Sequence, residues 1–280
     1  MPHHSDFDAL DLIVQTMIEA SIAAAQVIND VYARDVEAEQ KADGSPVTEA
    51  DSAAETVILS WLESTGLPVL AEESVAAGRI PSLGERYFVV DPLDGTKEFL
   101  KRNGEFTVNI ALVEDGRPIA GVVLAPVTGR THIGCSSGAL VGEVSDEKLG
   151  PLSAISVAER HPPRVVASRS HRSIEVSALC SSLQITEDVS VGSSLKFCLL
   201  AEAAAELYPR LTPTCEWDTA AGQAVVEAAG GVVLTFDKQP LRYGKRQDDF
   251  YNPFFVAACS EELAAHAIDE LNALRNSDVV

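Results

Sequence analysis

The stretch FVVDPLDGTKEF (88–99) drives an apolar strand into two aspartates, Asp91 and Asp94, with Pro92 between them and Gly95-Thr96 behind. Thr96 begins TKEFLKRN, which reads as a helix, so one short segment sets a strand end, a turn and a helix start. Any fold for this chain has to bring the acid-bearing end of that strand to a place where two carboxylates are tolerated.

The neighbouring segments repeat the habit. LPVLAEES (67–74) reads as a short strand ending in Glu72 and Glu73. Thr48 is the N-cap of a helix over TEADSAAETVILSWLEST, with Asp51 in its first turn. Asp218 follows Trp217 at the start of the small-residue helix TAAGQAVVEAAGG, which Gly230-Gly231 stop. Residues 8–33 carry apolar positions at helical spacing and predict a long amphipathic helix. FTVNIALVEDG, RPIAGVVLAPVTGR and THIGCSSG predict an antiparallel meander with Asp-Gly and Thr-Gly-Arg turns. SDEKLGPLSA (145–154) is polar and marks a lobe boundary near residue 150. Beyond it RVVASRSH reads as a strand, SIEVSALCSSL as a helix, DVSVGSSLKFCLLAEAAAELYPR as strand, turn and helix, and VVLTFDKQPLRY as a hairpin. The expected class is α/β, with an α+β N-terminal lobe over 1–150 and an α/β C-terminal lobe over 151–280.

Charge and composition narrow the function. The chain has 42 acidic against 21 basic residues over 280 positions, a net charge of −21, which argues against nucleic acid or an anionic membrane surface as partner. A phosphate site in such a chain needs a local positive element, and a bound metal supplies one. No run reaches the roughly 18 uninterrupted apolar residues of a membrane span. The start, MPHHSDFDAL, has no basic region followed by an apolar run, so a cytoplasmic protein is expected. Its five cysteines (Cys135, Cys180, Cys198, Cys215 and Cys259) form no CxxC and read as reduced structural thiols. The six histidines form no HExxH.

Acids at the ends of elements are ordinary one at a time, as turn residues or first-turn helix acids. Glu72 and Glu73, Asp91 and Asp94, Asp51 and Asp218 brought to one point repel one another unless a divalent cation compensates them. Carboxylates with a backbone carbonyl suit magnesium. Two such ions about 3.5–4 Å apart can clamp a phosphate. The amides of Gly95 and Thr96 face the same place at a helix start, and the Thr96 hydroxyl with Asp51 as base can serve an attacking water. The aspartyl-nucleophile motif D-x-D-G-T is not met, because Pro92 stands where its nucleophile belongs.

EES (72–74), DPLDGT (91–96) and WDTAAG (217–222), with SPVTEAD (45–51) upstream, resemble the signature blocks of the inositol monophosphatase superfamily, in that family's order. DPLDGTKEFLKRNGEFTVNIALV (91–113), GSSLKFCLLAE (192–202) and LYPR (207–210) further resemble its bacterial 3'(2'),5'-bisphosphate nucleotidases. EESVAAG (72–78) is closer to the inositol monophosphatases. The resemblance implies a layered αβαβα sandwich. It implies Glu72, Asp91 and the Leu93 carbonyl on one magnesium, and Asp91, Asp94 and Asp218 on a second, with a weaker third ion at Glu72. It gives the catalytic set as Asp51, Thr96 and Glu72. For the substrate it implies Gly95, Thr96, Asp218, His171, Ser193, Lys196 and Arg210.

The expected activity is that of a magnesium-dependent phosphomonoesterase that takes the 3'-phosphate from adenosine 3',5'-bisphosphate and leaves AMP. The resemblance adds 3'-phosphoadenylyl sulfate as a second substrate, a place in sulfur assimilation, and inhibition by lithium. The partner is a small nucleotide, the protein a monomer or weak homodimer, at most peripheral at the cytoplasmic face of the inner membrane. The rival is an inositol-phosphate or sugar-phosphate phosphatase with the same metal site. A non-catalytic binding protein on the same fold is disfavoured, because Asp51, Glu72, Asp91, Asp94, Thr96 and Asp218 are all present. Glu216 receives no role from sequence.

Overall fold

The computed structural model describes residues 4–34, 39–40, 46–166, 173–245 and 249–277. Helix α1 (His4–Tyr32) leads through a two-stranded ribbon, β1 (Glu39–Gln40) and β2 (Pro46–Val47), to helix α2 (Glu49–Leu62). Then come β3 (Val69–Ala71), the short α3 (Glu72–Ala76), β4 (Arg86–Asp94) and α4 (Thr96–Leu100). The meander follows as β5 (Thr107–Glu114), β6 (Arg117–Leu124), β7 (Arg130–Cys135) and β8 (Gly138–Ser145), with β9 (Lys148–Leu149) and β10 (Ser153–Ile155) at its far edge. All of β3 to β10 join one sheet, antiparallel except for the parallel pair β3–β4. The Asp115-Gly116 turn between β5 and β6 has φ of 49° and 72°, the left-handed pair that a tight hairpin turn requires.

The second sheet, in the order β12-β11-β13-β15-β14, is built from β11 (Val165–Val166), β12 (Asp188–Val189), β13 (Leu207–Arg210), β14 (Val232–Thr235) and β15 (Phe255–Ala258). Its helices are α5 (Ile174–Ser182), α6 (Leu195–Ala201), α7 (Ala220–Ala228) and α8 (Glu261–Ser277).

Alternation along the strands sorts the core into layers. Phe88, Val90, Ile110 and Val122 pack against α1 and α2 on one face of the first sheet. Val89, Ala111, Val113 and Val123 face the other way, onto α6 and α7, and meet Tyr208, Phe255 and Ala257 of the second sheet. Leu207, Leu234 and Val256 on that sheet's far face cover α5 and α8. The result is the expected αβαβα sandwich. Leu12–Tyr32 is long and apolar enough to cross a membrane by length and composition. It is nevertheless a core helix, with Met17, Ala20, Ala24 and Ile28 buried against the first sheet and α2.

Helix α7 lies close on the first sheet because glycines stand beneath it. A Cβ at Gly121 would sit 2.5 Å from the Ala221 carbonyl, and one at Gly134 would sit 2.4 Å from that of Ala224. This explains the run of small residues from Thr219: a larger residue on either side would lift the helix.

Several expectations are corrected. LYPR is strand β13 and not the end of a helix, since α6 stops at Ala201. VVLTFDKQPLRY does turn back on itself, with the Thr235 amide donating to the Gln239 carbonyl and the Leu241 amide to the Val233 carbonyl, but its only full strand is β14, which pairs with β15, a distant strand whose contacts no local pattern specifies. Glu72 and Glu73 open α3 rather than close β3. The last two elements, β15 and α8, have no counterpart among the expectations.

The end of α6 is tied to β7 by a part-buried charge cluster around the buried His132. Glu202 binds Arg130 and His132, and the His132 ring also meets the Cys198 thiol. Burial pulls the imidazole down, but Cys198 and Glu202 together outweigh it and raise it to about 10. Burial raises Glu202, but His132 and Arg130 hold it down at about 2. A raised histidine stabilises fully below its unfolded value, roughly pH 6.5, and that support is lost as the pH climbs through about 10. The melting temperature is therefore expected to fall between pH 6.5 and 10, and to fall less in His132→Gln; parallel slopes would contradict the assignment.

Candidate active site

The register of β4 against β5 explains why two acids three residues apart work together. Asp91 pairs with Asn109 and Asp94 pairs with Thr107, so three steps on one strand oppose two on the other. The extra residue is a β-bulge at Pro92-Leu93. In a regular strand an odd spacing sends side chains to opposite faces. The bulge restores Asp91 and Asp94 to one face, toward the layer of α6 and α7. Pro92 has no N–H to lose at a broken ladder, and Leu93, 1% exposed, packs toward α1 and α2 while its amide donates to Asp91 Oδ1 at 3.0 Å.

Asp218 comes to the same point from the start of α7. Its Oδ2 accepts the Cys215 amide at 2.7 Å. Oxygen atoms of Asp91, Asp94 and Asp218 lie within 4.8 Å of one another, an arrangement that can hold a metal ion. Burial first, then the Glu72, Asp94 and Asp218 charges, hold the Asp91 carboxyl well above the usual range. Burial and Asp94 push Asp218 up to about 8. The donor set, hard carboxylate oxygens crowded together, suits a hard divalent cation. Glu72 is outside that trio, but it borders the same cleft and shares a hydrogen bond with Asp91.

Asp51 is 1% exposed and sits in the first turn of α2. Its Oδ2 accepts the Thr48 amide at 2.8 Å and the Thr48 hydroxyl at 2.7 Å, while Thr48 Oγ1 accepts the Ala50 amide at 3.2 Å. This capping box turns the other oxygen outward, and Oδ1 accepts the Thr96 hydroxyl at 3.1 Å. Gly95, with φ of 101°, makes the turn between Asp94 and Thr96 that only a residue without Cβ adopts readily.

A cleft of about 560 Å³ opens from the acids, and Thr96, Ser193, Lys196 and Arg210 line it with Asp94 and Asp218. Lys196 is 9% exposed and donates to the Ser193 carbonyl at 3.0 Å; among the described residues it has no carboxylate partner. Burial lowers its pKa. Arg210 reaches the Pro213 carbonyl at 3.4 Å and Tyr208, and its Nε is buried with no partner among the described residues. Ser193 adopts φ of 47° and its hydroxyl meets that of Thr107 at 3.0 Å. His171 lies outside the described residues.

Sequence reasoning missed the residues that hold the acids. Asn109, Ser194 and the Cys215 amide contact Asp94 or Asp218. Asn109 had a signal, as the polar interruption of FTVNIALV opposite Asp91; Ser194 had none to separate it from Ser193. Glu216, fully buried, accepts the amides of Gly244 and Lys245 at 2.8 Å each and the Lys245 ammonium at 3.0 Å. It anchors the segment that carries Asp218. Glu55 likewise accepts the Glu73 amide at 2.7 Å and the Ser74 hydroxyl at 2.6 Å, fixing the start of α3 beside Glu72.

Comparison with known proteins bears on the family and the fold. The model of the inositol monophosphatase family matches residues 9–275. The chain is 47% identical over 248 residues to the 3'(2'),5'-bisphosphate nucleotidase CysQ of Escherichia coli K12, covering 88% of this chain and 98% of that protein. The crystal structure of CysQ from Bacteroides thetaiotaomicron, described as a bacterial member of the inositol monophosphatase family, is similar with a TM-score of 0.74 at 38% identity, over 88% of this chain and 97% of that one. An inositol monophosphatase structure from Thermotoga maritima has a TM-score of 0.74 at 20% identity, over 96% and 99% of the two chains, which speaks for the fold alone.

The crowding of Asp91 makes a stability prediction. In chelator-treated protein, Asp91→Asn is expected to raise the melting temperature by about 2–4 °C, the effect of about 1 kcal/mol in a chain of this size. The same change is expected to remove most of the rise that added magnesium gives the wild type. A lower metal-free melting temperature in Asp91→Asn would contradict the repulsion argued for the trio.

Proposed function

The chain belongs to the inositol monophosphatase family, and from that premise we propose that it is a 3'(2'),5'-bisphosphate nucleotidase, which hydrolyses adenosine 3',5'-bisphosphate to AMP and phosphate. The observation that carries the reading is a single cleft lined by the carboxylates of Asp94 and Asp218 together with two under-used cations, Lys196 and Arg210. An inositol monophosphate has one phosphate to place. A nucleotide bisphosphate has two, and Lys196 and Arg210 are suited to the second. The 3'-phosphate of 3'-phosphoadenylyl sulfate presents the same chemistry and is the second substrate, which gives the protein its place in sulfur assimilation.

In this reading Glu72, Asp91 and the Leu93 carbonyl would hold one magnesium ion, Asp91, Asp94 and Asp218 would hold a second, and Glu72 would take a weaker third. Bound magnesium neutralises phosphate charge and charge on the leaving ribose oxygen. Thr96 holds the attacking water through Oγ1 and directs its own proton to Asp51 Oδ1. Asp51 acts as base through that oxygen, because Thr48 already occupies the other. The amides of Gly95 and Thr96 orient the reacting phosphate, and Ser193, Lys196, Arg210 and His171 orient the nucleotide. Most of the acceleration then comes from position and fixed charge. The protein works in the cytoplasm on a diffusing nucleotide, as a monomer or weak homodimer of two-lobed chains divided near residue 150, and lithium inhibits it.

The test is phosphate release from adenosine 3',5'-bisphosphate, AMP and inositol 1-phosphate in parallel, with magnesium and with excess chelator, for wild type and Lys196→Ala. The bisphosphate is expected to be strongly preferred and the chelator to abolish turnover. Lys196→Ala is expected to raise KM for the bisphosphate tenfold or more, since a charged hydrogen bond contributes about 1.5–3 kcal/mol. Equal or faster turnover of inositol 1-phosphate would replace the nucleotidase reading with the sugar-phosphate one.

A further inference from the structure

Among the three clustered acids, Asp94 has its hydrogen bonds gathered on one oxygen. Oδ2 accepts the Ser194 amide at 2.7 Å, the Ser194 hydroxyl at 2.7 Å and the Asn109 side-chain amide at 3.3 Å. Among the described residues no hydrogen bond reaches Oδ1. A carboxylate oxygen has about two lone-pair directions, so Oδ2 is saturated and Oδ1 is the atom left to face an ion.

Ser194 also reaches across the site. Its hydroxyl is 2.9 Å from the Asp218 carbonyl, so its one proton lies between Asp94 on the first sheet and the segment that leads into α7. Asn109 donates to that hydroxyl at 2.9 Å and so turns the proton away from itself. The Asn109 amide cannot turn over, because its oxygen would then meet the acceptor-only Asp94 carboxylate. Ser194 is 2% exposed and Asn109 1%, so water does not take their places.

We infer that Ser194, oriented by Asn109, is the positioning residue that presents Asp94 through a single oxygen and fixes its separation from Asp218. The inference rests on the reading that Asp94 and Asp218 share a magnesium ion. Three carboxylates at this distance repel one another. The donors of Ser194 oppose that repulsion at Asp94 and tie down the backbone of Asp218 at the same time. Without the hydroxyl, Asp94 keeps the Ser194 amide but loses the link to Asp218, and the pair is no longer set for an ion before it arrives.

The test is calorimetric titration of magnesium chloride into chelator-stripped wild type, Ser194→Ala, Ser194→Thr and Asn109→Ala, with a melting curve for each metal-free protein. Loss of a group that orients a metal ligand costs about 10- to 100-fold in affinity, and a weakening of that size is expected for Ser194→Ala. Asn109→Ala is expected to weaken binding in the same direction but less, and Ser194→Thr, which keeps the hydroxyl, to stay near wild type. The KM for adenosine 3',5'-bisphosphate at saturating magnesium is expected to change little in Ser194→Ala, the reverse of the Lys196→Ala pattern. Unchanged magnesium affinity in a folded Ser194→Ala protein would overturn the inference. If that variant does not fold, unchanged affinity in Asn109→Ala overturns it equally. A wild-type protein that takes up no magnesium would overturn the metal reading of the proposed function, and this inference with it.

Discussion

One extra residue in strand β4 decides where the acids of this molecule meet. Without the bulge at Pro92-Leu93, Asp91 and Asp94 would point to opposite faces of the first sheet, one into the layer of α1 and α2 and one toward α6 and α7. With it, both face the middle layer, where Asp218 arrives at the start of α7 and Ser194 at the start of α6. Leu93 takes the opposite direction and fills the outer core. The helix layer can come this close only because Gly121 and Gly134 lie beneath α7. The acidic cluster is thus a consequence of strand register and of small residues some distance from it.

Holding those acids together costs stability, and the surrounding chain offsets part of the cost with oriented donors. Thr48 serves Asp51, Leu93 serves Asp91, Ser194 and Asn109 serve Asp94, and the Cys215 amide serves Asp218. Each donor is a backbone amide or a neutral side chain. Of the donors named, none is a lysine or arginine, which would compete with a bound cation for the acids. Lys196 and Arg210 line the same cleft, where they bond carbonyls and keep capacity for an anion. Both charge signs in one cleft, cation-holding acids and anion-holding bases, fit it to a substrate bearing two phosphates.

Much of this was legible in the sequence because it is local. The capping pair Thr48 and Asp51, the strand-to-helix turn at Gly95, the hairpin at Asp115-Gly116 and the α7 stop at Gly230 all come from residue types within a few positions of one another. The layer order was legible through resemblance more than through pattern. The hidden features depend on distant partners. LYPR is strand β13 because β15 pairs with it, and β15 lies more than forty residues away. Ser193 and Ser194 are adjacent and alike in sequence, yet one lines the cleft in a left-handed conformation and the other holds Asp94. Glu216 has meaning only through the amides of Gly244 and Lys245.

The trio formed by the bulge is, in this reading, a divalent cation site. Anomalous diffraction at the manganese edge, from crystals grown with manganese and AMP, tests it without reference to turnover. A manganese peak is expected within coordination distance of Asp91, Asp94 and Asp218. Ordered nucleotide in the cleft with no anomalous density at the three acids would contradict it.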